Sequence, residues 1–403
     1  MPRCRARRSS SSAATSGGSP RPSPYGTSWL RTWTSPWSPS DQFLFNPSLI
    51  WVPFGKRGKK DITFKVAPTF ESTRSSSSMR RPRASTWPGG RSRRRPGRSP
   101  TTTWSSPPAT ATTSTSCRHG PGGNAHTITT LEDALYAAEG WQRFLADPGD
   151  VVISATRLAG CFGAAYEFLF NTSHQLKKAG LKKQVKLTYV TSEPFLGHFG
   201  IGGLPHGEEL LGMFLKKEKI EAVTNVAMDA VASDAIQLSD GREVPFSFAM
   251  VVPPFVGQDF LRDVDGIADA KGYVKVRDTY QTEGYDEVYA VGIAAAVAVP
   301  WQTPTPVGIP KTGFPTEAMA HVAAKNIASQ IRGEAPKEHK EFGEIPAICV
   351  MDAGNNGVLI LADKMLPPRK HGVLIPGPQN HAMKLAFETY FLWKMKGGHV
   401  TLP

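Results

Sequence analysis

Two long stretches of the sequence contain no acidic residue and no lysine. Residues 1–40 carry six arginines and residues 72–118 carry ten, with no Asp, Glu or Lys in either. The first stretch also lacks Val, Ile and Phe, and residues 72–125 lack Val, Ile, Leu, Phe and Tyr. Segments this poor in apolar side chains bury too little surface to offset chain entropy, so both are expected to be disordered. The formal net charge of +13 belongs to them, because without these sixteen arginines the remainder stands at −3. That location speaks against a nucleic-acid-binding protein, which would interleave Arg with aromatics on a folded face. Cysteine is scarce as well. Cys4, Cys117, Cys161 and Cys349 are scattered, none forms a Cys-x-x-Cys, and no His/Cys cluster has zinc-ligand spacing. This excludes a disulfide scaffold and a structural zinc site. No run of 18 apolar residues exists, so no spanning helix is expected.

Three origins compete for the two arginine-rich stretches: an organelle transit peptide, nucleic-acid arms, or out-of-frame translation of a GC-rich gene. The third is favoured. Codons for Pro2–Arg8 can be chosen so that the next frame reads Arg-Gly-Val-Val-Leu-Gly-Ala, a strand running into a glycine turn. Between the stretches, residues 41–71 regain apolar side chains and lysines, and Ile62, Phe64 and Val66 alternate like a half-buried strand. This segment reads as an in-frame island.

From Asn124 onward the chain is continuously protein-like. Residues 131–145 have helical periodicity, stopped by Pro148-Gly149. Val151–Ser154 is a strand, followed by a turn with Gly160 and Gly163 and a helix from Ala164. Strand, glycine turn and helix open a dinucleotide-binding unit. Cys161 lies in that turn, where a helix N-terminus is expected to depress a thiol pKa. Strands are expected at 185–190, 223–227, 235–239, 246–253, 273–276, 288–291 and 347–350. Helices are expected at 207–218, 317–332 and 381–396, and Asp240-Gly241 marks a hairpin. Glu193 stands where an acidic residue can hold a ribose, although Pro194 and His198 beside it point to another use.

Residues 160–167 (GCFGAAYE), 191–202 (TSEPFLGHFGIG), 304–319 (PTPVGIPKTGFPTEAM) and 386–397 (AFETYFLWKMKG) resemble the sulfide:quinone oxidoreductase family of flavoproteins. So do residues 349–357 (CVMDAGNNG) and the island's FLFNPSLIWVPFG with DITF. The family is related to glutathione reductase and the flavocytochrome c sulfide dehydrogenase flavoprotein. The resemblance implies an α/β fold of two Rossmann-like, three-layer dinucleotide-binding domains with a small C-terminal region, its N-terminal FAD-binding unit largely degraded or disordered. The expected division is 1–40 disordered, 41–71 a remnant of the FAD domain, 72–120 disordered, 121–255 the second dinucleotide-binding-like domain, 256–345 the second part of the FAD domain, and 346–403 the quinone- and membrane-contact region.

The resemblance further implies that Cys161 and Cys349 form a redox pair over FAD, both where strands end beside the cofactor. Sulfide would open their sulfur bridge, and two electrons would pass to a membrane quinone. A dithiol suits this because exchange needs one attacking and one leaving sulfur. Glu167 matches a proton-handling glutamate. His198 matches a histidine near the sulfide entry, where an ordinary imidazole pKa of about 6.5 would serve. Gly292, Ile293, Lys311, Thr312, Gly313 and Pro47 fall at cofactor-contacting positions, and Phe391, Tyr390 and Trp393 at a quinone pocket. Ile293 replaces an acidic ribityl ligand of the wider group. Thr129 stands at the position of a flavin-tethering cysteine found in some members, and Asp133 at that of a histidine, so a covalent flavin link is not expected. The N-terminal GxGxxG is missing, which would impair the hold on FAD. Peripheral attachment to the bacterial cell membrane would fall to helix 381–396, through Leu385, Phe391, Leu392, Met395 and the basic Lys384, Lys394 and Lys396. Assembly into a homo-oligomer is compatible with this. On the same fold the rivals are a type II NADH:quinone oxidoreductase and a flavocytochrome c subunit, the first disfavoured by the dithiol.

Overall fold

The computed structural model describes residues 42–69, 123–257, 261–262 and 264–399. The two arginine-rich stretches expected to be disordered lie outside them. A parallel sheet is the centre of what is described. Its strands are β3 (Ala125–His126), β4 (Val151–Ala155), β5 (Leu187–Thr191), β6 (Ile220–Val223) and β10 (Phe248–Val252), ordered β3-β10-β4-β5-β6. Every pairing is parallel. β4, β5 and β10 are buried throughout, as continuous apolar strands with helices on their faces should be.

Helices α2 (Leu131–Ala146), α3 (Phe162–Lys178) and α4 (Gly207–Lys217) are the crossovers. Thr130 and Asp133 close a capping box on α2. Between β6 and β10 lies an antiparallel meander, β7 (Met228–Val231), β8 (Ala235–Leu238) and β9 (Glu243–Pro245). Gly241 turns it at φ 84°. The strand expected at 223–227 is instead the break between β6 and β7. There Asn225 takes a left-handed φ of 56°, which ends a ladder.

The island supplies the hairpin β1 (Gln42–Leu44) and β2 (Thr63–Lys65), a 3₁₀ turn at Asn46–Trp51, and the short α1 (Lys59–Ile62). Ile62 thus ends a helical turn rather than lying in a strand, and it is fully buried. The C-terminal region is an antiparallel sheet of β11 (Ala347–Asp352), β12 (Gly357–Ala362) and β13 (Gly372–Pro376), followed by α6 (Gln379–Gly397). Among the described residues between β10 and β11 the only long element is α5 (Gly313–Ile331). The strands expected at 273–276 and 288–291 do not form. Val274, Val276 and Tyr289 make only isolated bridges, because no described strand lies alongside them.

Candidate functional site

β4 ends against the turn that carries Cys161. There the thiol becomes the N-cap of α3, accepting from the Ala164 N–H at 3.4 Å. β11 brings in Cys349, the third of its six residues, so it lies mid-strand rather than at a strand end. The two cysteines are 188 residues apart in sequence. Both are free thiols, and each stands close enough to Glu167 and Lys384 to feel their charges. A side chain at Gly163 would sit 3.8 Å from Cys161 Sγ and 3.7 Å from Met351 Sδ, which shows how closely α3 and β11 pack there.

The depressed Cys161 pKa expected from the helix N-terminus is not found. Burial raises it, opposed by the Ala164 N–H, and burial pushes Cys349 up to about 12. Desolvation of a thiolate outweighs the helix end here.

Glu167 and Lys384 form the polar centre. The Lys384 ammonium stands 3.0 Å from Glu167 Oε1 and donates to the Val350 carbonyl at 3.1 Å, and both residues are buried. Burial pulls the Lys384 pKa down, but Glu167 and Cys349 more than offset it and the lysine stays charged. Glu167 also accepts the Asp352 N–H at 2.8 Å, and burial raises its pKa. The Asp352 carboxylate accepts from Trp51 Nε1 at 2.8 Å and pairs with His381 Nδ1 at 2.5 Å, which links the island to α6 through the site. Asp352, His381 and Trp51 were missed as site residues by the sequence reading, and Lys384 was assigned to the membrane face. The available signal was Asn380, Lys384 and Glu388 at four-residue spacing, a polar stripe on one face of α6, and all three are buried.

That stripe reverses the expected membrane face. Lys384 is held by Glu167 and Lys394 by Glu317, and neither reaches solvent. Leu385, Phe391 and Leu392 pack against the core, and Met395 is half-buried. Phe391 lies 5.3 Å from Phe45 and 6.2 Å from Phe43, ring to ring, while the Tyr390 ring is tilted against that of Trp393 at 6.0 Å. The outward apolar residues are Met383, Phe387 (42% exposed) and Trp393 (53%). Ile348, 44% exposed, lies on the outward face of β11 next to Cys349.

His198 is not beside the thiols in any contact the structure makes. It is buried, accepts the Gly200 N–H on Nδ1 at 3.3 Å, and meets Trp301 edge to face. Burial, then Arg369, lowers its pKa to about 4, so the imidazole is neutral and does not titrate near 6.5 as expected. Glu193 is fully enclosed. It accepts from the hydroxyls of Tyr166, Tyr189 and Thr191 and from the Phe199 N–H, and burial lifts its pKa to about 7. It braces the loop carrying His198 through the Phe199 N–H.

Of the remaining predicted residues, Lys311 lines a second place, a cleft of about 220 Å³ with Leu158, Gly160, Phe255, Tyr273 and Ile309. Gly160 adjoins Cys161, so the cleft lies next to the dithiol. Lys311 donates to the carbonyls of Ile293 (3.4 Å) and Ala295 (2.8 Å) and sits 3.7 Å from the Tyr273 ring centroid. Burial brings its pKa down to about 8. Thr312 and Gly313 start α5, and Thr316 in its first turn crowds Gly292. Pro47 is the second residue of the 3₁₀ turn Asn46–Trp51 and does not line this cleft.

No family model matches the chain. The sulfide-quinone reductase of Aquifex aeolicus strain VF5 is 36% identical over 283 residues, which are 69% of this chain and 65% of that protein. The alignment therefore spans slightly under two thirds of the relative's length. The crystal structure of the sulfide:quinone oxidoreductase from Aquifex aeolicus superposes with a TM-score of 0.74 at 29% identity, covering 90% of this chain and 85% of that one. The mitochondrial ATP synthase of Tetrahymena thermophila matches in fold alone, with a TM-score of 0.50 at 12% identity over 71% of this chain and 69% of that one.

Proposed function

Since the chain belongs to the sulfide:quinone oxidoreductase family, we propose that it is built to oxidise sulfide and hand the electrons to a membrane quinone, with FAD between them. The observation that carries this reading is the meeting of Cys161, Cys349, Glu167 and Lys384 around one buried charge pair. In the oxidised pair, hydrosulfide attacks one sulfur of the Cys161–Cys349 bridge. A persulfide forms on that cysteine, the other leaves as thiolate, and the sulfide sulfur has given up two electrons. Lys384 lowers the cost of the thiolate at Cys349, against a pKa that burial alone drives up. Glu167 is placed to take the proton that hydrosulfide brings.

FAD, when bound, would supply the two-electron acceptor beside the pair. The residues fit its ring end. The cleft beside Gly160 sets the Lys311 side chain among apolar walls from Leu158, Phe255 and Ile309. They do not fit its pyrophosphate end. About 220 Å³ falls short of the ~300–1,000 Å³ usual for ligand pockets, and no glycine turn at a helix N-terminus stands opposite the cleft among the described residues.

For the quinone, the exposed Phe387, three residues from Lys384 on α6, and the exposed Ile348, next to Cys349 on β11, are candidates alongside Phe391 and Tyr390. The exposed apolar residues Met383, Phe387 and Trp393 of α6, and Val373 and Ile375 of β13, are suited to peripheral attachment at the bacterial cell membrane. No helix among the described residues is long and apolar enough to cross a membrane.

The test is spectroscopic. FAD-loaded protein mixed with sulfide under anaerobic conditions should lose its visible flavin band, and Cys349→Ser should not. Equal bleaching in Cys349→Ser, or none in the flavin-loaded wild type, overturns the reading.

A further inference from the structure

Gly163 is the second residue of α3, and nothing in the backbone requires glycine there. Its φ is not positive. Outside its own turn of helix, a methyl group on it would meet nothing closer than Met351 Sδ at 3.7 Å and Cys161 Sγ at 3.8 Å. Gly140 and Gly160 differ, because a methyl on either would collide with a ring, that of His126 or of Phe255. Alanine is the better helix former, so the bare position at Gly163 costs stability and relieves no clash. What it leaves is a gap the size of one methyl group, and both atoms that bound it are sulfurs. The far wall follows from strand geometry. Residues two apart on β11 share a face, so Met351 points the same way as Cys349. Met351 is buried, whereas Cys161, Gly163 and Ala164 are half-buried. The gap is therefore closed at Met351 and open along the start of α3. A soft, polarisable lining without a polar partner suits a sulfur atom better than a water molecule.

We propose that this gap holds the sulfur carried on Cys161, and that the missing side chain at Gly163, with Met351 opposite, sets how far a sulfur chain grows there. This rests on the sulfide-oxidising reading above. Hydrosulfide attacks Cys161 Sγ, the bond from Cys161 to Cys349 breaks, and its electron pair leaves on Cys349. The new S–S bond is about 2.05 Å long. A sulfur bonded to Cys161 and turned toward Gly163 then stands where a methyl would stand, and the two exclude each other. Met351 closes the far side, so the gap takes one sulfur and stops a second.

Sulfur loading tests this without flavin. The full-length protein is reduced and treated with inorganic tetrasulfide. The Cys161 thiolate takes one sulfur atom and trisulfide departs, so no outside oxidant is needed. Alkylation traps the product, and mass spectrometry counts sulfurs on tryptic peptide 158–177, whose only cysteine is Cys161. Wild type should carry one added sulfur. Gly163→Ala should load less by about tenfold or more, as overpacking by one methyl predicts, and should melt no lower than wild type. Gly163→Ala combined with Met351→Ala should regain the sulfur, and Met351→Ala alone should carry a second. Equal loading of wild type and Gly163→Ala overturns the proposal, whatever the Met351 variants do. So does an equal loss of Cys161 alkylation by iodoacetamide in Gly163→Ala, because the methyl would then be blocking the approach to the thiol. Loading that follows these expectations, in a protein whose bound flavin sulfide does not bleach, sinks the sulfide reading and leaves this inference standing. Bleaching with equal loading sinks this inference alone.

Discussion

Val151–Ala155 and Val288–Val291 are similar strings of apolar, strand-favouring residues, and they end differently. The first is β4, hydrogen-bonded along its whole length to β10 on one side and β5 on the other, with every residue buried. The second stays a loop with one bridge. Intrinsic preference is thus a weak determinant, and the neighbour decides. The same contrast separates the two halves of the site. The dithiol half is locked by strands, ion pairs and the island, whereas the half around Lys311 hangs on turns and side chain-to-carbonyl bonds.

The sharpest way to expose this contrast is to remove one charge from each half. Lys384→Met leaves Glu167 buried with no cation, and should cost about 3–5 kcal/mol in denaturant unfolding. Adding Glu167→Gln should recover most of that loss. Lys325→Ala breaks an exposed pair with Glu338 and should cost under ~1 kcal/mol. Equal costs would show that the two halves are equally tight.

The Glu167–Lys384 pair also marks the limit of what the sequence could reveal. The strand, glycine turn and helix around Cys161, the C-terminal strand with Cys349, and the long terminal helix are all legible, because their signals are local. Lys384 was read as a cation facing out, since an amphipathic reading sends lysine to water. Only its meeting with Glu167, 217 residues away, turns it inward. The Cys161 pKa went wrong for a related reason. A helix N-terminus is visible in a sequence, but the burial that outweighs it is not. The strands at 273–276 and 288–291 failed because a ladder belongs to two segments and only one is described.

Amide exchange should widen the contrast next. The amides of β4 open only with the sheet, while Ala290 bonds the Tyr280 carbonyl across a loop. Exchange in β4 should be slower by a factor on the order of 100 or more. Similar protection would mean that 288–291 is paired in solution.

Acid should loosen the parallel-sheet half first. His126 is 2% exposed with neither ring nitrogen bonded, and burial brings its pKa to about 4, as it does for His198. Their folded values lie below the unfolded 6.5, so the stability they contribute is present above pH 6.5 and lost as pH falls toward 4. Glu193 acts oppositely. Its folded pKa of about 7 lies above 4.5, so its contribution is present below pH 4.5 and lost as pH rises through 7. Two groups outweigh one, and stability should fall between pH 6.5 and 4.5. Glu193→Gln, stripped of the opposing gain, should fall more steeply over the same window. A shallower fall would refute the assignment of these protons.

The smallest effect expected is also the most local. Gly160 and Gly292 are the turn glycines of the two halves, and each is crowded by one side chain. A methyl group on Gly160 would stand 2.2 Å from Phe255, and one on Gly292 would stand 2.7 Å from Thr316. Only Gly292 has a positive φ, 65°, so Gly292→Ala adds backbone strain of about 1–2 kcal/mol to the clash. Thr316→Ala removes the clashing Cγ2 and Oγ1 and leaves the strain untouched. If the Lys311 half is as loosely held as its missing ladder implies, α5 can shift and absorb the clash. Gly292→Ala should then cost no more than the strain, and Thr316→Ala should restore nothing. Recovery of a further ~1 kcal/mol or more by Thr316→Ala would mean that α5 is held rigidly against Gly292, and the contrast between the halves would have to be redrawn.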